Sequence, residues 1–294
     1  MACEPFFLQT GAHGGDQRLC LHYPAQGSRT HGLVVYVHPL GEEMNKARRM
    51  AALQSRAFSR AGYAVLQIDL LGCGDSSGDF GDATWPHWTN DVRMACEWLR
   101  QRHTTQHTGG VPVPLWLWGL RSGCLVAVAA ARQLNEPCHF LFWQAPASGK
   151  AMLQQFLRLK VAADLADGQG SGAMSALHKQ LANGETVEIA GYMLSSALAN
   201  ELAQANLTPP VSGNAGRYLV WLELSSREDA TPGTVSAQTV TAWGQAGFDT
   251  HLQGLSGPAF WQTNEIEEVP VLIAASTAAI VHRVGSLMPE AMTL

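Results

Sequence analysis

"LWLWGLRSGCLVAVAAARQL" (Leu115–Leu134) is the stretch that decides how this chain is read. An apolar burst ends at Gly119, a five-residue turn follows, and a helix of small residues begins. A strand-to-helix junction spelled G-x-S-x-G is a nucleophile elbow, a strained turn that lifts a serine to the top of a sheet. The turn here reads Gly119-Leu120-Arg121-Ser122-Gly123. Arginine holds the nucleophile's place, and the serine comes one residue late.

Working outward, strand signals recur with helical patterns between them. "FFLQT" and "QRLCLHY" predict an N-terminal antiparallel pair. Then come "GLVVYVH" (Gly32–His38), "YAVLQIDL" (Tyr63–Leu70), "VPLWLWG" (Val113–Gly119), "HFLFWQA" (His139–Ala145), "RYLVWLEL" (Arg217–Leu224) and "FDTHLQGL" (Phe248–Leu255). Most are short continuous apolar runs, the pattern of strands buried on both faces of a parallel sheet. Asn45 is placed to cap "KARRMAALQSRAFSRAG", whose Ala47, Met50, Ala51, Ala57, Phe58 and Ala61 share one face. Trp85–His103 carries Val92, Met94, Ala95, Trp98 and Leu99 in the same way. Strand–helix–strand repetition implies right-handed crossovers and an α/β doubly wound, mostly parallel sheet.

Residues 147–212 break that rhythm. "GKAMLQQFLRLKVAADLA" and "EIAGYMLSSALANELAQ" read as helices joined by a Gly/Ser-rich segment, a helical insertion expected to cover the C-terminal edge of the sheet. The expected organisation is therefore a core of 1–146 and 213–282, a helical cap of 147–212 and a tail of 283–294. Of the 294 residues, 46% are hydrophobic and 15% charged, a composition that favours a packed core over disorder. A formal net charge of −5 argues against nonspecific nucleic-acid binding, which needs a basic footprint. No stretch reaches the roughly 18 apolar residues of a membrane span. Six scattered cysteines without metal-like pairing read as free thiols, and with no signal-peptide pattern the expected compartment is the cytoplasm.

The order of parts, together with the phrases "HPLGEEMNKARRM" (His38–Met50), "DLLGCGDSSGDF" (Asp69–Phe80), "WPHWTNDV" (Trp85–Val92), "WGLRSG" (Trp118–Gly123), "FLRLKVAA" (Phe156–Ala163), "VEIAGYMLSSALA" (Val187–Ala199) and "FWQTNEIE" (Phe260–Glu267), resembles the α/β-hydrolase superfamily. Within it the chain looks like the exosortase A system-associated hydrolase 2 branch, encoded with the exosortase that sorts PEP-CTERM surface proteins in bacteria making exopolysaccharide. The resemblance implies an α/β-hydrolase fold with a helical cap and hydrolysis of an ester or related acyl bond. Fold alone does not establish that function.

The residues complicate that implication. A guanidinium stays protonated and cannot attack a carbonyl. Ser122 is a weak catalytic candidate, because one residue further into a helix its side chain leaves in a direction turned by about 100°. Its alternative role is a first-turn hydroxyl that satisfies local backbone. In hydrolases of this fold the triad acid follows a late strand and the histidine follows the last one. The acid candidates are Glu228 and, in the same turn-rich loop, Asp229, with a solvated loop carboxylate as the alternative. Where the family pattern puts Gly-His, this chain has Gly257-Pro258; His251 falls inside a strand pattern and His282 beyond the last helix. Two of three triad positions therefore look wrong.

A site remains even so. His38 of "HPLGEE" resembles the histidine of lipase-type His-Gly loops, but Pro39 removes one N–H donor. Glu42 and Glu43 follow, either as an acid–base pair or as one partner of an arginine beside one solvated carboxylate. Arg121 at a helix N-terminus suits a carboxylate or phosphate, or else an internal pair with Glu42 or Glu43. Gly72 and Gly74 lack the third glycine and helix start of a dinucleotide fingerprint, so no cofactor and no metal is expected. Two functions stay open: an ester-bond hydrolase, and a non-catalytic binding or accessory protein that holds a small acidic or acyl ligand through Arg121, His38, Glu42 and Glu43.

Overall fold

The computed structural model describes residues 3–11, 16–103, 113–166, 172–210, 216–227 and 229–285. Eight strands form one sheet in the order β1-β2-β4-β3-β5-β6-β9-β10. These are β1 (Glu4–Gln9), β2 (Gln17–Tyr23), β3 (Gly32–Val37), β4 (Tyr63–Ile68), β5 (Leu115–Leu120), β6 (His139–Trp143), β9 (Tyr218–Ser225) and β10 (Asp249–Ser256). β1 and β2 are antiparallel, as are β2 and β4, and every later neighbour pairs parallel.

Burial on both faces explains the continuous apolar runs. Leu33, Val35, Leu117 and Phe140 face one core layer, under α2 (Trp85–His103) and α3 (Ser122–Ala131). Val34, Tyr36, Trp118 and Leu141 face the other, under α1 (Glu42–Arg60) and α8 (Pro270–Gly285). The period of two along each strand divides the side chains between the two layers. Trp118 anchors the second layer, with its ring centroid 4.3 Å from that of Tyr36 and 4.7 Å from that of Trp143. The remaining helix of the core, α7 (Thr234–Gln245), precedes the edge strand β10.

Four local expectations are corrected. α1 begins at Glu42, three residues before Asn45, with Gly41 (φ 53°) at its N-terminal boundary. Asn45 instead donates to the Glu42 carboxylate at 3.0 Å. The stretch from 188 to 204 is not one helix. β7 (Val187–Ile189) and β8 (Tyr192–Leu194) form a hairpin, and α6 (Ser196–Gln204) follows, capped by the Ser195 hydroxyl. The Ala190-Gly191 pair turns the hairpin with both residues at positive φ, the geometry of a tight turn whose twist matches its strands. The segment joining the two expected helices holds a further helix, α5 (Ala173–Ala182). His282 lies inside α8 rather than beyond the last helix.

The helical insertion opens with α4 (Gly149–Ala166) and closes with α6. Phe80 packs rings with Phe156 of α4 and Tyr192 of β8, and the Trp85 backbone N–H donates to Glu201 of α6 at 2.8 Å. The insertion is thus tied to the residues that follow β4. No described helix is long and apolar enough to cross a membrane, and all six cysteines are free thiols.

Candidate functional site

The β5–α3 junction places Arg121 at φ 54° and ψ −122°. A non-glycine residue in so sparsely populated a region costs of order 1–3 kcal/mol, and surrounding contacts must hold it there. Its backbone N–H donates to Trp143 O and its carbonyl accepts from Cys124 N–H, both at 3.0 Å. The two flanking glycines explain why the turn can be this tight. A Cβ on Gly119 would lie 2.6 Å from the Cys124 backbone, and one on Gly123 would lie 2.1 Å from the Val37 carbonyl oxygen.

The guanidinium is buried, with Arg121 only 7% exposed. Its Nε lies 3.4 Å from both Glu43 carboxylate oxygens, and its Nη2 lies 3.3 Å from one of them. Nη2 also donates to the Gln155 side-chain oxygen on α4. The ring of Trp261 lies 5.7 Å from the guanidinium carbon, within cation–π reach. Gln262 donates to Glu43 at 3.2 Å. Arg121 is therefore surrounded by the first turn of α1, the insertion and the loop after β10.

The other residues singled out in the sequence divide between this centre and its surroundings. Ser122 is 1% exposed, and its Oγ accepts the Leu40 N–H at 2.8 Å. Among the described residues it makes no hydrogen bond to a histidine. His38 lies in the neighbouring loop but turns both nitrogens to backbone. Nδ1 pairs with the Pro39 carbonyl at 2.8 Å, so it carries the proton, and Nε2 accepts the Leu70 N–H at 3.1 Å. Burial pushes the His38 pKa down and keeps the ring neutral, against the opposing pull of Asp69. Glu42 is exposed and accepts from Asn45 and from the Tyr192 hydroxyl, at 3.0 and 3.3 Å. The Tyr192 phenol is pushed up, first by burial and then by Glu42.

Asp229 is not drawn into the centre. It forms a two-bond pair with Arg227 in an exposed turn, both bonds at 2.9 Å. Glu228 lies outside the described residues. His251 sits within β10 and meets Gln253 at 3.3 Å. Cys124, three residues past Arg121, is buried and bonded to Trp143 O, and burial raises its thiol pKa well away from thiolate chemistry. Among the described residues, no group of three or more His, Cys, Asp or Glu side chains is placed to hold a metal ion.

Sequence reasoning missed Gln155, Trp261 and Gln262. A signal was available for the last two. "FWQTNEIE" follows Gly257-Pro258, the place where a triad histidine loop would lie, and that loop here delivers an indole and an amide to Arg121 and Glu43.

Strand order, the β5–α3 turn and the insertion after β6 together define an α/β-hydrolase. Residues 28–207 match the family described as serine aminopeptidase, S33, and the chain belongs to that family. It is also 30% identical over 130 residues to human (Homo sapiens) Protein ABHD12B; the match covers 43% of this chain and 33% of that protein. The structure described as ferulic acid bound to Est1E from Butyrivibrio proteoclasticus superposes with a TM-score of 0.64 at 12% identity, covering 95% of this chain and 99% of the other. A soluble variant of monoglyceride lipase from Saccharomyces cerevisiae gives 0.62 at 13% identity, with 96% of each chain covered. A carboxyl esterase from Bacillus coagulans gives 0.62 at 13%, with 97% and 99% covered. At these identities the likeness is one of fold.

Proposed function

We propose that this α/β-hydrolase does not perform serine hydrolysis and instead binds a small acidic or acyl ligand through Arg121. The β5–α3 turn is then a nucleophile elbow in which arginine has replaced serine. The observation that carries this reading is the buried guanidinium at φ 54°, on the residue where an elbow presents its nucleophile. A neutral His38 bonded to backbone on both sides supports it, because His38 is then not free to act as a general base for Ser122. Removing nucleophile and base together forfeits about 10⁶ in rate where a triad has been dissected. The insertion at 147–212 serves as the cap over the Arg121 site, with Gln155 as its contact.

Family membership favours a second reading, an esterase-like hydrolase with Ser122 as a displaced nucleophile. A fluorophosphonate probe separates the two. The proposal expects no label on the protein and calorimetric binding of acidic ligands such as uronic acids and acyl phosphates, lost in Arg121→Met. Stoichiometric labelling of Ser122, abolished in Ser122→Ala, would establish the hydrolase. For the hydrolase reading, we propose from the sequence resemblance to the exosortase A-associated branch a cytoplasmic role in the making or modification of exopolysaccharide or sorted surface proteins.

A further inference from the structure

Arg121 and Glu43 meet as a parallel fork, with Nε and Nη2 facing the two carboxylate oxygens at 3.3–3.4 Å. Arginine takes a free carboxylate in this geometry, and fully formed charge-assisted bonds close to about 2.7–2.9 Å. The internal pair is thus stretched by about half an ångström relative to that range. Beside it, Trp261 is 4% exposed and its indole N–H has no partner among the described residues. A buried indole N–H ordinarily finds an acceptor. Arg121 keeps a close bond from Nη2 to Gln155, but its contacts to Glu43 are all long, so the Nε side of the guanidinium, with the unsatisfied indole of the neighbouring ring, is short of a well-placed acceptor oxygen.

The surroundings narrow the chemistry. The Trp261 ring lies under the guanidinium, and the ring edges of Phe156 and Tyr192 lie against Gly41, two residues before Glu43, so the surroundings of the fork are aromatic. Glu42 is next to Glu43 in the chain and holds to Asn45 and Tyr192. A ligand that displaces Glu43 leaves that carboxylate nearby. One negative charge matches the one guanidinium, whereas a dianion would stand beside two glutamates.

We infer that Glu43 stands where a ligand carboxylate belongs, and that the ligand is a monocarboxylate on an apolar, flat body, which displaces Glu43 from Arg121. This inference rests on the anion-binding reading above and adds to it the ligand class and the internal competitor.

The test is calorimetry with benzoate and inorganic phosphate on the full chain as wild type, Glu43→Gln and Arg121→Met. Removing an internal competitor raises apparent affinity by the inverse of the competent fraction. Benzoate should bind Glu43→Gln about tenfold or more tighter than wild type, and Arg121→Met not at all. Phosphate should bind the wild type more weakly than benzoate does. Equal benzoate affinity in wild type and Glu43→Gln, or phosphate binding as tight as benzoate, overturns this inference while leaving Arg121-dependent anion binding intact. No binding of either anion to any variant overturns the underlying reading as well. Should Glu43→Gln fail to fold, Glu43→Ala is melted in acetate, phosphate and chloride. A melting temperature raised by acetate alone supports the stand-in role, and equal melting in all three salts refutes it.

Discussion

The Leu40 N–H and the Ser122 hydroxyl oxygen meet at 2.8 Å, across 82 residues of chain. In serine hydrolases of this fold the oxyanion hole takes one N–H from the residue after the nucleophile and one from the loop after the third strand. Leu40 belongs to that loop, and Ser122 is the residue after Arg121. If the β5–α3 turn is read as the proposed elbow, these are the two donor positions, and the Ser122 side chain occupies the Leu40 backbone N–H. Losing a single oxyanion donor costs about 10²–10³ in kcat where it has been measured. On the proposed reading, one internal hydrogen bond engages both the Ser122 hydroxyl and the Leu40 N–H, and two others engage both ring nitrogens of His38.

Ser122→Ala tests that contact directly. It leaves the buried Leu40 N–H without its acceptor, which costs about 1–3 kcal/mol of stability. Urea denaturation should show that loss with an unchanged m-value. A change below about 0.5 kcal/mol, the range of neutral surface substitutions, would mean that the hydroxyl is not needed there.

Gly119→Ala and Gly123→Ala should each be among the most damaging single changes in the chain. In both cases the added methyl meets backbone, which cannot rotate away: Cys124 at 2.6 Å and the Val37 oxygen at 2.1 Å. A cost above about 4 kcal/mol is expected, visible as loss of soluble folded protein or a large drop in melting temperature. Gly184→Ala is the control. That glycine meets nothing within 4 Å but has φ 85°, so its cost is backbone strain alone, about 1–3 kcal/mol. If Gly123→Ala were no worse than Gly184→Ala, the close approach of α3 to β3 would not constrain this turn.

Much of this arrangement was legible before any coordinates, and the reasons differ by element. β3 to β6 are nearly pure apolar runs because both faces are covered, so composition alone marks them. Gly119 and Gly123 announced the turn, because only a missing Cβ permits those approaches. The β7–β8 hairpin was misread because Val187–Leu194 is too short to show a period of two against the helix that follows. Gln155 was invisible because an uncharged amide on a helix carries no sequence signature, and Gln262 could be placed only by the position of its loop after Gly257-Pro258. Their importance arises only where distant segments converge on Arg121 and Glu43.

A second buried ion pair, away from this centre, offers a stability prediction. Arg18 Nε and the Leu71 N–H both donate to the same Asp91 oxygen at 2.8 Å, and both side chains of the pair are almost fully buried. Arg18→Met strands the Asp91 carboxylate and should cost about 3–5 kcal/mol. Asp91→Leu alone should cost a similar amount, although Arg18 keeps Asp16 as a partner at 2.6 Å. The double variant should cost much less than the two losses added, since no buried charge then stands alone. Strict additivity in a double-mutant cycle would rule out the pairing as an energetic unit.

The last prediction concerns pH. His139 packs in a three-ring cluster, 4.7 Å from Trp116 and 5.2 Å from Tyr218 by ring centroids, and its Nδ1 accepts the Tyr218 N–H at 3.1 Å. An accepting Nδ1 cannot carry a proton, so the fold holds the neutral ring. Burial, assisted by the nearby Arg217 charge, pushes its pKa down to about 4. An unfolded histidine titrates near 6.5, so the unfolded chain takes up the proton first as pH falls. This contribution to stability is therefore complete above about pH 6.5, declines below it, and is gone near pH 4. Its full size is about 3 kcal/mol, at about 1.4 kcal/mol per pKa unit. His22, also pushed down by burial despite its Glu4 partner, adds a slope of the same sign, so the wild type alone does not isolate His139. His139→Asn removes the titration while its side-chain oxygen can still accept the Tyr218 N–H. Urea unfolding at pH 7.5 and pH 5 should show the wild type losing more stability than His139→Asn over that interval. Equal losses in the two proteins would mean that His139 titrates alike folded and unfolded, and that its burial does not keep it neutral.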